Sequence, residues 1–255
     1  MIYGETASRS MEDRIAQRMV SYWIRLVKGK KSKIAYSAYI LSKRKHLSFD
    51  GLYVSRWMLA VQTALSKVGL QDVWSTDAEG VELPRLKNLI KERFNSFAEA
   101  GWKDEIQRHR SCDTYLSFKS EFVCEDYLSV AQFKDRKILA RFRCRSSYIP
   151  VASLEAYMFD DDPLFDPVCP LCTQEVGDEE HYLLRCSHFA GERQTLIGDT
   201  INSHAGNFAR IMAMKDMTAR DLNRLARFLG KVMDTLREHS TLDDTINYDV
   251  AMLFD

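Results

Sequence analysis

Between positions 169 and 186 the chain reads Cys169-Pro170-Leu171-Cys172, then His181, then Cys186, a pattern of C-x2-C, eight residues, H, four residues, C. Four soft or borderline ligands within eighteen positions match the needs of a tetrahedral zinc ion. Two cysteines on a tight knuckle supply one edge of the tetrahedron. A histidine and a cysteine from a following turn supply the other. His181 and Cys186 lie five apart, a little over one helical turn, so both reach one ion if the chain from Glu179 onward is helical or turn-like. The order is that of a CCHC zinc knuckle with a long middle loop. Buried cysteines also occur as small hydrophobes, but that reading leaves unexplained why three of the six cysteines fall at ligand spacing here. Four protein ligands close the coordination shell, so the expected Zn2+ is single and structural rather than catalytic. His188 is the alternative to Cys186 as fourth ligand.

The other cysteines, Cys112, Cys124 and Cys144, show no paired spacing. Free thiols beside a thiolate metal site suit a reducing compartment, which places the chain in the nucleus or cytoplasm. The N-terminus has no apolar signal core, and no apolar run approaches the roughly 18 residues of a membrane span. The zero net charge conceals a gradient. Residues 1–60 carry 12 Lys and Arg against 4 Asp and Glu, whereas residues 151–255 carry 9 against 19. Such asymmetry suits a basic surface for nucleic acid, or two halves that attract each other.

The periodicity is helical almost throughout, so the expected fold is mainly α: one or more helical bundles with the knuckle embedded. Over residues 11–28, Ile15, Met19, Tyr22 and Leu26 form an apolar stripe, and Arg14, Arg18, Arg25 and Lys28 form a basic one beside it. Lys30, Lys31 and Lys33 follow, and a helix from Ile34 to about Leu41 leads into Lys43-Arg44-Lys45-His46. These charges read either as a solvated face or as phosphate ligands, the latter helped by Tyr36 and Tyr39 as stacking surfaces. Tyr53–Val68 forms the next helix, with Gly69 as its C-cap. Pro84 opens another that carries Leu86, Leu89, Ile90, Phe94 and Phe97. A helix over Leu128–Arg145 bears Lys134, Lys137, Arg141 and Arg145 as a second basic stripe, and Arg143 adds to the positive charge just before the knuckle.

Residues 150–168 read as an acidic, proline-bearing linker. Its Phe159-Asp160-Asp161-Asp162 mimics the aromatic-x-Asp-Asp of polymerases but lacks the flanking alternation of a hairpin, so it reads as a solvated loop. Thr218-Ala219-Arg220-Asp221 reads as a capping box. It opens a helix with Leu222, Leu225, Leu229, Val232 and Leu236 at 3/4 spacing, either core or a seam for a protein partner. The expected organisation is a basic helical domain over residues 1–149, the linker, the knuckle with its helices over 169–239, and an acidic tail over 240–255. No Ser/His/Asp, Cys/His or paired-carboxylate set stands out, so no enzyme activity is expected.

The order of features resembles the C-terminal region of reverse transcriptases from non-LTR (LINE-type) retrotransposons. The likeness runs through Tyr22-Trp23-Ile24-Arg25-Leu26, Trp57-Met58, Val73-Trp74, Tyr115-Leu116-Ser117-Phe118-Lys119 and Phe133-Lys134-Asp135-Arg136-Lys137. It continues through Cys169-Pro170-Leu171-Cys172, Glu179-Glu180-His181-Tyr182-Leu183-Leu184-Arg185-Cys186 and Leu225-Ala226-Arg227-Phe228-Leu229-Gly230-Lys231. The resemblance implies an accessory part, a helical region plus zinc knuckle that helps hold template RNA or target DNA beside a polymerase whose own motifs are absent from this sequence. The expected function is therefore noncatalytic nucleic-acid binding by the Lys/Arg stripes, with Tyr182 or Phe189 for stacking. The alternative is a zinc-stabilised protein-interaction scaffold, a retroelement gene adopted by its host, using the acidic half and the leucine stripe.

Overall fold

A computed structural model describes residues 1–29, 34–47, 55–108, 112–144, 149 and 168–242. Lys30, Lys31, Lys33, Arg145, the Ser48–Gly51 turn, Phe159–Asp162 with the rest of residues 150–167, and the tail from residue 243 lie outside them. The fold is mainly α. Among the described residues the only β feature is an isolated antiparallel bridge between Val168 and Val176. No helix among them is long and apolar enough to cross a membrane.

The chain forms two compact units, one of Ser8–Glu105 and one of Met1–Ala7 together with Ile106–Asp255. This division differs from the one the composition suggests. The linker-like composition of residues 150–168 marks neither edge, and the first seven residues belong with residues 106–255.

The Ser8–Glu105 unit is built on α2 (Met11–Val27), α3 (Ile34–Leu47), α4 (Arg56–Lys67), α5 (Gln71–Ser75) and most of α6 (Leu83–Arg108). Ser10 caps α2 by accepting from the Asp13 amide at 3.1 Å, and Ser55 caps α4. Gly69, at φ +71°, turns the chain after α4 in the left-handed conformation that a C-terminal glycine takes at least cost. The core joins Val20, Trp23 and Ile24 of α2 to Met58, Val61 and Leu65 of α4 and to Leu86, Ile90 and Phe94 of α6.

The inward face of α2 is therefore rotated from the expected stripe. Met19 and Leu26 pack partly inside, but Ile15 and Tyr22 are half exposed. Val20, Trp23 and Ile24 are buried instead, packed against α4 and α6. Tyr39 is also buried rather than available for stacking: it accepts from the Trp23 indole at 3.1 Å and donates to Asp77 at 2.5 Å.

In the other unit α1 (Ile2–Thr6), α7 (Asp113–Leu116) and α8 (Tyr127–Val130) are short, and α9 (Phe133–Arg143) packs on the long α12 (Ala219–Leu242). The helix expected over Leu128–Arg145 is interrupted. Ala131 is extended, with ψ 152°, and its carbonyl accepts from Arg136 Nε at 2.7 Å. Between the metal-ligand segment and α12 lie α10 (Ala190–Ser203) and α11 (Phe208–Ala213), in a stretch whose sequence shows no clear period.

The capping box at Thr218 forms as expected. The Asp221 amide donates to Thr218 Oγ1 at 3.3 Å, and the Thr218 amide donates to Asp221 Oδ2 at 3.2 Å. Leu222, Leu225, Leu229, Val232 and Leu236 are each at most 2 % exposed. The stripe is core, so the expectation of a partner seam there is corrected: its apolar area is already covered by α9 and α10.

Candidate metal centre

The Cys169–Cys172 knuckle is held by backbone geometry. The Cys169 amide donates to the Glu175 carbonyl at 2.8 Å, and the Thr173 amide donates to the Cys169 carbonyl at 2.9 Å. Thr173 takes φ +56°, which bends the chain back toward the Val168–Val176 bridge. Gly177 then passes close to the centre. A Cβ there would lie 2.7 Å from the Tyr182 hydroxyl and 3.2 Å from Cys169 Cα, so a side chain has no room.

The opposite edge comes from a π-turn, His181–Arg185. Five residues along an α-helix rotate by roughly 500°, leaving the two side chains about 140° apart. An i→i+5 hydrogen bond, from the Cys186 amide to the His181 carbonyl at 2.7 Å, closes a wider ring and returns Cys186 beside His181. Asp178 starts this turn by accepting from the His181 amide at 2.6 Å. Arg193 of α10 holds its end. This buried guanidinium donates to the Leu183, Tyr182 and Cys186 carbonyls at 2.9, 3.3 and 2.8 Å.

The ligand atoms of Cys169, Cys172, His181 and Cys186 all lie within 4.8 Å of one another. The Cys169 and Cys186 sulfurs are 3.9 Å apart, and Cys172 Sγ is 3.3 Å from His181 Nε2. These four residues could hold a metal ion. His188 is exposed and stacks edge-on against Phe189, outside the cluster, so Cys186 is the fourth member.

The surroundings fit a cation bound by thiolates. Glu175 Oε2 lies 3.1 Å from His181 Nδ1, an arrangement that keeps the proton on Nδ1 and turns Nε2 toward the cysteines. Hydrogen bonds from His181 and Arg185 hold the Glu175 carboxyl below its usual range. Burial raises the Cys172 pKa, but the Gln174 and Glu175 amides and the neighbouring thiols outweigh it and bring the thiol down. The Cys186 thiol is pushed up to about 12, first by burial and then by the other cysteines. Sulfurs packed this closely repel as anions unless a cation lies among them. The Tyr182 hydroxyl is buried with no oxygen or nitrogen partner among the described residues. Burial, and then the Cys169 sulfur it addresses, push its pKa up, so a thiolate there would satisfy the orphaned donor. Glu175 and Arg193 carry no sequence signal of this role, since each reads as an ordinary charged residue.

The basic residues divide by environment. On α9, Lys134, Lys137 and Arg141 are exposed at i, i+3 and i+7 and make no ion pair among the described residues. Arg143, expected with them, faces the opposite way and is buried. Its guanidinium pairs with Glu5 at 2.9 Å and Glu125 at 3.0 Å, donates to the Met212 carbonyl, and lies over the Phe118 and Tyr127 rings. It is unavailable to a phosphate. In the other unit, Lys28 donates to the Ala78 carbonyl at 2.6 Å, and Lys43 pairs with Asp77 at 2.5 Å beneath the Trp74 ring. Both anchor the turn through the positive-φ residues Asp77 and Ala78. Arg44 and Lys45 are exposed. Tyr182 and Phe189 are at most 1 % exposed and offer no stacking surface.

No family model, curated protein or solved structure matches the chain.

Proposed function

We propose that the chain is a noncatalytic nucleic-acid-binding module, akin to a retrotransposon reverse-transcriptase C-terminal region, with one structural zinc ion in the Cys169/Cys172/His181/Cys186 cluster. The ligand chemistry supports zinc over harder cations. Three sulfurs and one imidazole suit a borderline-soft ion and disfavour Mg2+ or Ca2+, which take oxygen. Zinc–sulfur bonds of about 2.3 Å at tetrahedral angles put sulfurs about 3.8 Å apart, and sulfur and imidazole nitrogen about 3.6 Å apart. The 3.9 and 3.3 Å separations are close to both. With four protein ligands no position remains for a reacting water, which is why the ion is assigned to folding.

The observation that carries the nucleic-acid reading is the outer face of α9. Phe133 is 82 % exposed and is followed on the same helix by Lys134, Lys137 and Arg141, which are unpaired among the described residues. An exposed ring beside a line of free cations offers stacking and phosphate neutralisation together. Exposed ion pairs are individually weak, so selectivity for a polyanion comes from engaging several at once. The test is a salt titration of oligonucleotide binding by fluorescence anisotropy. Three phosphate contacts to a single strand give a log–log slope of about −2 from this face alone. Lys134→Glu/Lys137→Glu should weaken binding about tenfold or more and flatten the slope. No measurable binding at low salt would overturn the reading.

A further inference from the structure

Within the Ser8–Glu105 unit, α2 and α6 leave between them a groove of about 390 Å³. Its rims carry Arg25, Lys87 and Lys91, with Gln17, Ser21 and Asn88 as further hydrogen-bonding groups, and no carboxylate lines it. Ile24 and Ile90, 1 % and 2 % exposed, form an apolar floor. Arg25, Lys87 and Lys91 are exposed, and none makes an ion pair among the described residues. Three lysines elsewhere in this unit contrast with them. Lys28, Lys43 and Lys67 are engaged with Ala78, Asp77 and Asp13. Among the described residues Lys87 and Lys91 make no ion pair that would explain them, and Arg25 touches only the Tyr22 ring.

We infer that this groove is a binding track for a nucleic-acid strand, contacted through its phosphodiester backbone. Lys87 and Lys91 are one turn apart on α6, a rise of about 6 Å, so they follow a strand rather than converge on one point. Gln17, Ser21 and Arg25 repeat the same step along α2. Beside Arg25 stands Tyr22, 48 % exposed, with the guanidinium 5.8 Å from its ring centre and the Trp57 ring edge-on behind it at 5.9 Å. A braced, half-exposed ring next to a cationic groove is the arrangement on which single-strand binders stack a base. A lone inorganic phosphate is a poor occupant, because exposed cations hold one anion weakly. A polyanion gains by releasing counterions at every contact.

This inference rests on the nucleic-acid reading but uses a surface separate from the α9 face. The experiment uses the full-length chain and a labelled oligodeoxythymidine of about 16 nucleotides, the upper end of single-strand site sizes. Lys87→Glu/Lys91→Glu should weaken binding about tenfold or more and make the salt slope shallower by about 1.4 for the two lost contacts. As a check independent of mutant folding, the oligonucleotide should protect Lys87 and Lys91 of the unmodified protein from acetylation, read by mass spectrometry, whereas millimolar inorganic phosphate should not. If wild-type protein binds and Lys134→Glu/Lys137→Glu weakens it, while Lys87→Glu/Lys91→Glu binds normally and the two lysines stay unprotected, the groove assignment falls alone. If the wild type binds nothing at low salt, the nucleic-acid reading falls with it. Protection by anionic lipid vesicles and not by the oligonucleotide would also overturn the inference.

Discussion

Glu175 shows how much of a candidate metal site can rest on a residue outside the Cys/His cluster. Its carboxylate holds His181 Nδ1 at 3.1 Å and Arg185 Nε at 2.9 Å, fixing the ring with Nε2 inward. Glu175→Gln should lower zinc affinity about 10–100-fold in a chelator competition while leaving the stoichiometry at saturation unchanged. Arg193→Met should act on the same turn through its backbone. It removes the guanidinium donor of the buried Leu183, Tyr182 and Cys186 carbonyls, of which Cys186 keeps the Phe189 amide at 3.3 Å, at about 1–3 kcal/mol for each group left unsatisfied, read by denaturant unfolding. Cys144 tests burial directly. Its thiol is pushed up to about 12, first by burial and then by Glu5, so at pH 8 iodoacetamide should modify the exposed Cys124 and spare Cys144. The raised pKa means that this thiol's contribution to stability is complete below the ordinary thiol value and is lost as pH rises through about 12. The four members of the cluster are legible in the sequence because their residue types fall at ligand spacing, but the π-turn that returns Cys186 beside His181 and the supporting shell are not. Arg143 was misread for a geometric reason that the sequence does contain. Two residues from Arg141 is a rotation of about 200°, and Arg143 lies one turn after the core residue Leu139.

At the scale of elements, strict periodicity was readable and rotation was less so. The 3/4 stripe of α12 and the box at Thr218 both appear where the pattern places them, because a long amphipathic helix with a capped start has one economical way to bury its face. Leu229→Ala should cost about 2–5 kcal/mol by opening a cavity in that core, whereas Thr218→Ala, a cap on an exposed helix start, should cost about 1 kcal/mol. Where two faces of a helix are both partly apolar, as in α2, the sequence leaves the choice to the neighbours. Trp23 is selected by its hydrogen bond to Tyr39 and its packing against Trp74. The π-turn and the extended residue Ala131 are equally hidden. Each depends on contacts made by residues remote in sequence or on a ring size that hydrophobic periodicity does not encode.

For the molecule as a whole, the clearest departure from a left-to-right reading is Glu5. Its buried carboxylate accepts from Tyr115 at 2.9 Å, from Tyr127 at 2.6 Å and from Arg143, joining the first helix to residues more than a hundred positions away. No local pattern announces such a pairing, which is why the sequence groups the N-terminal residues with the basic helices that follow them. Glu5→Gln leaves the Arg143 charge without its main buried counterion and should destabilise the protein by about 3–5 kcal/mol, more than Glu5→Leu/Arg143→Met in the same unfolding assay. Whether a zinc ion joins the Cys169–Cys172 knuckle to the His181–Cys186 turn is decided by metal analysis of protein purified without chelator. One zinc per chain is expected, retained in His188→Ala and lost in Cys186→Ser, with a lower melting temperature once the metal is removed. A metal-free wild-type protein that melts at the same temperature with and without added zinc would contradict it.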